Sequence, residues 1–534
     1  MDAQYRLVCA LRRVVAIQEP GHEVTPIETH ISYVLLTGRF AYKIKKAVNL
    51  GFVDFRALSD RRFCCEEELR LNRRLAADLY LAVVAITGTI ENPALHGNGP
   101  AIEYAVKMRE FPRDALATDV LARGRLRPGH IDALAAQIAA FHGLASVAAA
   151  GSPFGTPEAI LDLALRNFSE LRPLLSDPAD IQAIDALAQW TRGEYAARTP
   201  AMVERRDRGF IRECHGDLHL GNIAVVDDRP LVFDCIEFNE HMRWIDAMSE
   251  AAFTMMDLEA AGRADLGWRY LNAYLEIGGD YTGLSVLRFY LVYRAMVRAK
   301  VARLSGGRLE RGDVSDAWRT KYRRYVELAN ACSQPRKPAL IITHGLSGSG
   351  KSRLSQNLLE SIGAVRIRTD VERKRLHGLR MYQRTRAATD SGLYSPDATR
   401  ATYLHALSLA RITIDTKPAP IVDGAFLKRW QRDLFRDLAT ELNVPIVIVT
   451  LRADEATLRD RIVHRLHDAN EASDADLAVL EHQLCAQEPL QPDELLDAIA
   501  FDTGTATNGA QTPESQQEAV IEQVRRRCGY PARS

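Results

Sequence analysis

Two groups of residues in this chain have the types and spacing needed to handle phosphate, and they lie well apart. One is His215-Gly216-Asp217-Leu218-His219-Leu220-Gly221-Asn222 followed by Phe233-Asp234; the other is Gly345-Leu346-Ser347-Gly348-Ser349-Gly350-Lys351-Ser352. Moving a phosphoryl group asks little covalent work of a protein: an acid beside the acceptor hydroxyl, oxygen donors for Mg²⁺, and a cation on the phosphates of ATP. In the first group Asp217 has the place of the base, with Asn222 and Asp234 as metal ligands. Lys43, in Ala41-Tyr42-Lys43-Ile44, is the phosphate lysine, and Glu68 is its expected ion-pair partner, with Glu66 and Glu67 as rivals. Lys45 lies two residues on and on the same face, so either lysine can instead be a solvated strand residue. His219 and Glu237 are polar neighbours of the motif, whereas His142 at the end of an amphipathic helix reads as a packing or capping residue.

The second group satisfies GxxxxGK[ST] between an apolar strand, Leu340-Ile341-Ile342, and a helix from Arg353 to Leu359. Gly345, Gly348 and Gly350 let backbone amides curl around phosphate, Lys351 neutralises the β and γ groups, and Ser352 takes Mg²⁺. Asp423, closing the apolar run Pro420-Ile421-Val422, is the second metal residue, with a helix N-cap as the alternative. Asp370, in Thr369-Asp370-Val371, ends a strand where an acceptor hydroxyl would lie; it is the expected base, with helix capping as its alternative. Arg459, Arg461 and Arg465 share one helix and read either as lid arginines or as a solvated face.

The elements that must hold these residues follow from periodicity. Residues 31–46 alternate around Thr37-Gly38-Arg39 and predict a hairpin. Asp60 to Leu75 is helical, and LAVVAIT and AIEYAVKM are two further strands. Residues 114–197 and 243–330 are helical, so the first half is a small mixed lobe of about 1–110 and a helical lobe of about 111–332. Ser333-Gln334-Pro335-Arg336-Lys337-Pro338 is a proline-rich break, which predicts independently folding halves of 1–332 and 338–534. Beyond it, ALIIT, AVRIRT, APIVDGA and VPIVIVTL alternate with helices, the pattern of a parallel sheet with crossovers. The polar tail after Thr503 reads as a loop before a last helix. Lys+Arg and Asp+Glu both total 69, so no basic field points to nucleic acid or anionic lipid. Eight cysteines without metal-ligand spacing read as reduced thiols, and no stretch predicts a signal peptide or a membrane span, so the expected location is cytoplasmic.

With HGDLHLGNI and the downstream VFDCIEFN, residues 25–300 resemble the aminoglycoside phosphotransferase branch of the protein-kinase-like fold. The resemblance implies ATP and Mg²⁺ as cofactors, Asp217 as base, Asn222 and Asp234 as Mg²⁺ ligands, Lys43 on phosphate, and residues 103–108 as the interlobe hinge that reads adenine. Two departures stand out. No GxGxxG precedes Lys43, so the covering loop around His30 to Tyr33 must be irregular, and Asp234 is followed by Cys235-Ile236-Glu237. Residues 338–500 resemble P-loop kinases of the zeta-toxin, chloramphenicol-phosphotransferase and polynucleotide-kinase type, and the pairing resembles bacterial bifunctional aminoglycoside phosphotransferase/ATP-binding proteins. The expected fold is thus an α+β protein-kinase-like bilobal domain followed by an α/β P-loop NTPase domain with a parallel sheet. The expected function is ATP-dependent transfer to a hydroxyl of a small-molecule acceptor at each site. The rivals are a regulatory ATP sensor and a toxin-like kinase acting on nucleotide-sugars. Resistance to a polycationic drug is not expected, since Arg525, Arg526 and Arg527 stand where an acidic C-terminal segment would be needed.

Overall fold

The computed structural model describes residues 3–18, 23–49, 51, 53–306, 315–335, 338–385, 392–465, 472–504 and 513–530. They gather into two compact units, one of Met1–Ser169 with Tyr195–Asp257, the other of Glu170–Glu194 with Leu258–Ser534.

The first unit is built on an antiparallel sheet of β1 (Thr25–Glu28), β2 (Ser32–Leu36), β3 (Phe40–Lys45), β4 (Tyr80–Gly88), β5 (Pro93–Leu95) and β6 (Glu103–Arg109), in the order β1-β2-β3-β6-β4-β5. The expected hairpin is β2–β3, turned by Gly38 at φ +83°. Alternation along β3 sorts its residues onto two faces. Tyr42 and Ile44 pack with Leu7, Leu11 and Val15 of the helix Ala3–Gln18, an element that periodicity did not predict. Ala41 faces the other way, toward Cys65 and Tyr80 beneath the helix Leu58–Ala76, and so do Lys43 and Lys45. The pleat therefore delivers both lysines to the helix that carries Glu68. Residues 103–108 are not a hinge: they form β6, and the β3 and β4 ladders take up their backbone groups. The loop expected near His30 is the short β1–β2 connection, where the Thr29 hydroxyl accepts from the Ser32 amide at 2.9 Å.

In the same unit β7 (Ile211–Glu213) pairs with β10 (Trp244–Asp246). The hairpin of β8 (Ile223–Val226) and β9 (Arg229–Val232) begins beside Asn222 and ends just before Asp234.

The second unit holds a parallel sheet of β11 (Leu340–His344), β12 (Ala364–Arg368), β13 (Ala419–Asp423), β14 (Ile446–Arg452) and β15 (Ala498–Asp502), in the order β12-β13-β11-β14-β15. Strands β11 and β13 are buried along nearly their whole length, as a sheet covered on both faces requires. Strand β15, with exposed Ala500 and Asp502, was not legible as a strand. The compact units do not part at the proline-rich break, two of whose residues, Arg336 and Lys337, lie outside the described residues. The helices Ala264–Gly278, Leu284–Gly306 and Ser315–Ser333 belong to the second unit. The reason is an unpaired sheet edge: Asn272 donates to the Ala364 carbonyl of β12 at 2.9 Å and accepts from the Arg366 amide at 2.6 Å. Residues 505–512 of the polar tail also lie outside the described residues, and the helix Pro513–Arg527 follows them. All eight cysteines are unbridged, and no helix among the described residues is long and apolar enough to cross a membrane.

Candidate active sites

The first site is organised by buried carboxylates. Glu68, fully buried, accepts from Lys43 Nζ at 2.8 Å, and Lys43 also pairs with Asp234. Glu66 and Glu67 are occupied elsewhere, by Arg62 and Arg70. Lys45 is no surface lysine. It is fully buried, and its Nζ joins Glu68 to Glu237. Burial lowers the Lys43 ammonium, but the charges of Asp234 and Glu68 outweigh it and hold the lysine well above its ordinary value. Burial acts to raise Glu68, yet the two lysines bring it down to about 2. In Glu237 burial prevails, and its value is raised.

The loop from His215 to Asn222 is held from beneath. The Glu250 carboxylate accepts the His215 amide at 3.1 Å and the Gly216 amide at 2.6 Å, and His142 Nε2 lies 2.9 Å from the same group. His142 is thus the partner of a buried carboxylate. Desolvation opposes this charge, but His142, His215 and the Gly216 amide bring Glu250 to about 2. Ligand atoms of His142, Cys214 and Glu250 lie within 4.8 Å of one another, but both Glu250 oxygens already serve the loop. Gly216 is at φ +91°, where an added Cβ would stand 2.7 Å from the Met242 carbonyl. Asp257 accepts the Leu220 amide at 2.9 Å.

These supports aim Asp217. Its Oδ2 accepts from Asn222 Nδ2 at 3.0 Å and lies 3.3 Å from His219 Nε2. His219 Nδ1 accepts the Gly221 amide at 3.0 Å, so the neutral ring carries its proton on Nε2 and donates toward Asp217. In the same way His215 Nδ1 accepts the Asp217 amide, its Nε2 donates to the Phe233 carbonyl at 2.8 Å, and burial lowers its pKa. Asp234, at φ +66° and with a side chain 41% exposed, is held by its amide on the Tyr80 hydroxyl at 3.1 Å. With the amide nitrogen of Asn222 spent on Asp217, its remaining donor is an oxygen. Together with the Asp234 carboxylate this is the hard donor set that Mg²⁺ takes.

The second site lines a cavity of about 320 Å³ bounded by Gly348, Gly350, Lys351, Ser352, Asp370 and Asp423. Gly345, Gly348 and Gly350 have φ of +148°, +83° and +90°. A Cβ on Gly345 would stand 2.5 Å from the Leu451 carbonyl, so the loop requires glycine there. Lys351 opens the helix Lys351–Ile362, and its Nζ donates to the Leu346 carbonyl at 2.7 Å. Burial depresses its pKa to about 8, against the opposing pull of Asp423 and Asp370. Asp423 ends β13 and accepts from the Ser355 hydroxyl at 3.1 Å. Ser352 and Asp423 again offer oxygens alone, which fits Mg²⁺. Asp370 stands in the first turn of the helix Thr369–Leu376, beside Arg373, whose guanidinium lies 5.0 Å from the centre of the Tyr394 ring.

The three arginines of the helix Glu455–Arg465 divide. Arg461 and Arg465 line the cavity, Arg461 donating to the Gly348 carbonyl at 3.3 Å, while Arg459 pairs with Glu455 and Glu481 at the surface. Sequence spacing gave no sign of Glu250, Tyr80, Arg366, Arg373 or Tyr394, since each acts through long-range packing.

Profiles of known families match both parts: a phosphotransferase enzyme family over residues 64–290 and an AAA domain over 340–490. The first match begins beyond Lys43 and Lys45, which geometry adds to the site. The chain is an enzyme of the kinase class, joining a protein-kinase-like phosphotransferase fold to an α/β P-loop NTPase fold. An uncharacterized protein of Mycobacterium tuberculosis (strain ATCC 25618 / H37Rv) is 32% identical over 448 residues, 84% of this chain and 87% of the relative. The chain belongs to the same two-domain family. Among solved structures, a choline kinase from Cryptosporidium parvum Iowa II aligns at 12% identity over 61% of this chain and 96% of its own, with a TM-score of 0.39. A gluconokinase from Sinorhizobium meliloti 1021 aligns at 24% identity over 35% of this chain and 94% of its own, with a TM-score of 0.25.

Proposed function

We propose that each site transfers the γ-phosphate of ATP to a hydroxyl group of a small molecule. The observation that carries this reading is repeated in both units: a lysine for phosphate and oxygen donors for a metal stand near a further carboxylate available as base. In the first site Lys43 orients the phosphates, and Glu68 keeps the ammonium in place. Asn222 and Asp234 hold Mg²⁺, which when bound neutralises charge on the transferring group. Asp217, set by Asn222 and His219, takes the proton as the acceptor oxygen bonds to phosphorus and ADP leaves. In the second site the amides after Gly345, Gly348 and Gly350 cradle the phosphates with Lys351. Ser352 and Asp423 hold the metal, and Asp370 is the base.

The test is ATP consumption by the full chain across a panel of sugars, nucleosides and amino alcohols, alongside D217N and D370A. Acceptor-dependent turnover lost in one variant assigns that acceptor to its site. Turnover that survives both substitutions unchanged would sink the proposal.

A further inference from the structure

A buried ion pair joins the P-loop site to a helix outside the AAA-domain match. Glu276, on the helix Ala264–Gly278, is 4% exposed and accepts from Arg366 Nε at 2.7 Å. Arg366, on the edge strand β12, is 7% exposed. Its Nη1 donates to the Ser352 carbonyl at 3.2 Å and lies 3.5 Å from the Ser355 hydroxyl. That hydroxyl is in turn 3.1 Å from both the Ser352 carbonyl and Asp423 Oδ2. One hydrogen-bonded line therefore runs from Glu276 through Arg366 to the two residues suited to Mg²⁺.

We infer that Glu276, which lies within the phosphotransferase-family match, is a positioning residue for the P-loop site, acting through Arg366 on Ser352 and Asp423. The inference rests on the reading that this site binds MgATP. The physical reason is charge balance. A buried guanidinium needs an anion. With Glu276 in place that need is met by a carboxylate that is not a proposed metal ligand. Without it, the next carboxylate along the line is Asp423, and a cation drawn toward Asp423 competes with Mg²⁺ for its oxygens. Groups that orient metal ligands in this way change metal affinity while touching neither metal nor substrate. Asn272, one turn earlier, contacts the Ala364 carbonyl and the Arg366 amide, so it shares the packing but not the charge line.

The experiment uses the full chain carrying D234N, which removes a proposed metal ligand from the first site, with K351A defining the background. ATP binding is measured by calorimetry across Mg²⁺ concentrations, together with melting temperature. E276Q is expected to raise the half-saturating Mg²⁺ roughly 10-fold while metal-free ATP binding is unchanged. N272A is expected to lower the melting temperature and leave the Mg²⁺ dependence alone. R366M carries the same test if E276Q does not fold, and the double variant is expected to shift no further than the larger single one. A wild-type Mg²⁺ dependence in E276Q and R366M, or an equal shift in N272A, overturns the inference. Absence of any Lys351-dependent ATP binding in the parent chain overturns the MgATP reading itself, a result distinct from the other two.

Discussion

Asn222 Nδ2 donates to Asp217 Oδ2 at 3.0 Å, so the side chain proposed to face the metal also sets the carboxylate proposed to take the proton. The two functions are separable by substitution. D217N is expected to lower transfer by the first site ~10²–10⁴-fold with ATP binding intact, because a base acts on the acceptor. N222A removes both the aim of Asp217 and an oxygen donor, so it is expected to lower transfer and raise the Mg²⁺ requirement together. Transfer assays and calorimetry on the full chain separate these outcomes; wild-type turnover by D217N would remove Asp217 from the mechanism.

Lys45 supplies the countercharge for two buried carboxylates. K45M leaves Glu68 and Glu237 facing each other without it and is expected to cost about 3–5 kcal/mol, read as a fall in unfolding free energy. Adding E237Q is expected to recover part of the loss. The pH dependence has a definite sign: with Glu68 lowered to about 2 from 4.5, its stabilisation is complete above pH 4.5 and is lost as pH falls toward 2. In K45M that acid-side slope is expected to shrink.

Lys351 supplies a second pH test with the opposite direction. Its ammonium has a pKa of about 8, so it is charged below that pH and neutral above it. ATP affinity at the P-loop is therefore expected to fall as pH rises from 7 to 9, and K351A to show weak binding at every pH. D370A is expected to keep affinity near neutral pH while losing transfer ~10²–10⁴-fold, and, because it removes one of the two carboxylates that hold the Lys351 ammonium up against burial, to move the fall in affinity toward lower pH. Equal losses of binding in K351A and D370A would deny Asp370 a separate role toward an acceptor.

Cleavage within Ser333–Pro338 is expected to leave the pieces associated. The helix Ala264–Gly278 covers the β12 edge through Asn272 and Glu276, and Tyr281 donates to the Arg366 carbonyl at 3.4 Å. A fragment beginning at residue 338 would expose that edge, and its melting temperature is expected to fall below that of the nicked protein. Two fragments that separate and each melt at the temperature of the intact chain would contradict this packing.

The residues proposed to face phosphate, metal and acceptor were legible in the chain because such chemistry depends on short spacings. The HxDxxxxN run sits on one loop, and GxxxxGKS sits on one strand-to-helix turn. Strand alternation likewise placed Lys43 and Lys45 on one face. It did not determine that Lys45 is buried, because that depends on Glu68 and Glu237, which lie 23 and 192 residues away in the chain. The hinge at residues 103–108 was implied by the family resemblance alone, whereas the strand that alternation predicts for AIEYAVKM is the one that forms, as β6 between β3 and β4. The supports at Glu250 and the charge line from Glu276 have no local signature, since a buried acid on a helix is worth its desolvation only where folding brings it amides or a guanidinium. Sequence by itself determined which residues are proposed for the chemistry. Tertiary structure decided which charges hold them still, and it set the division between compact units at a different place from the proline-rich break.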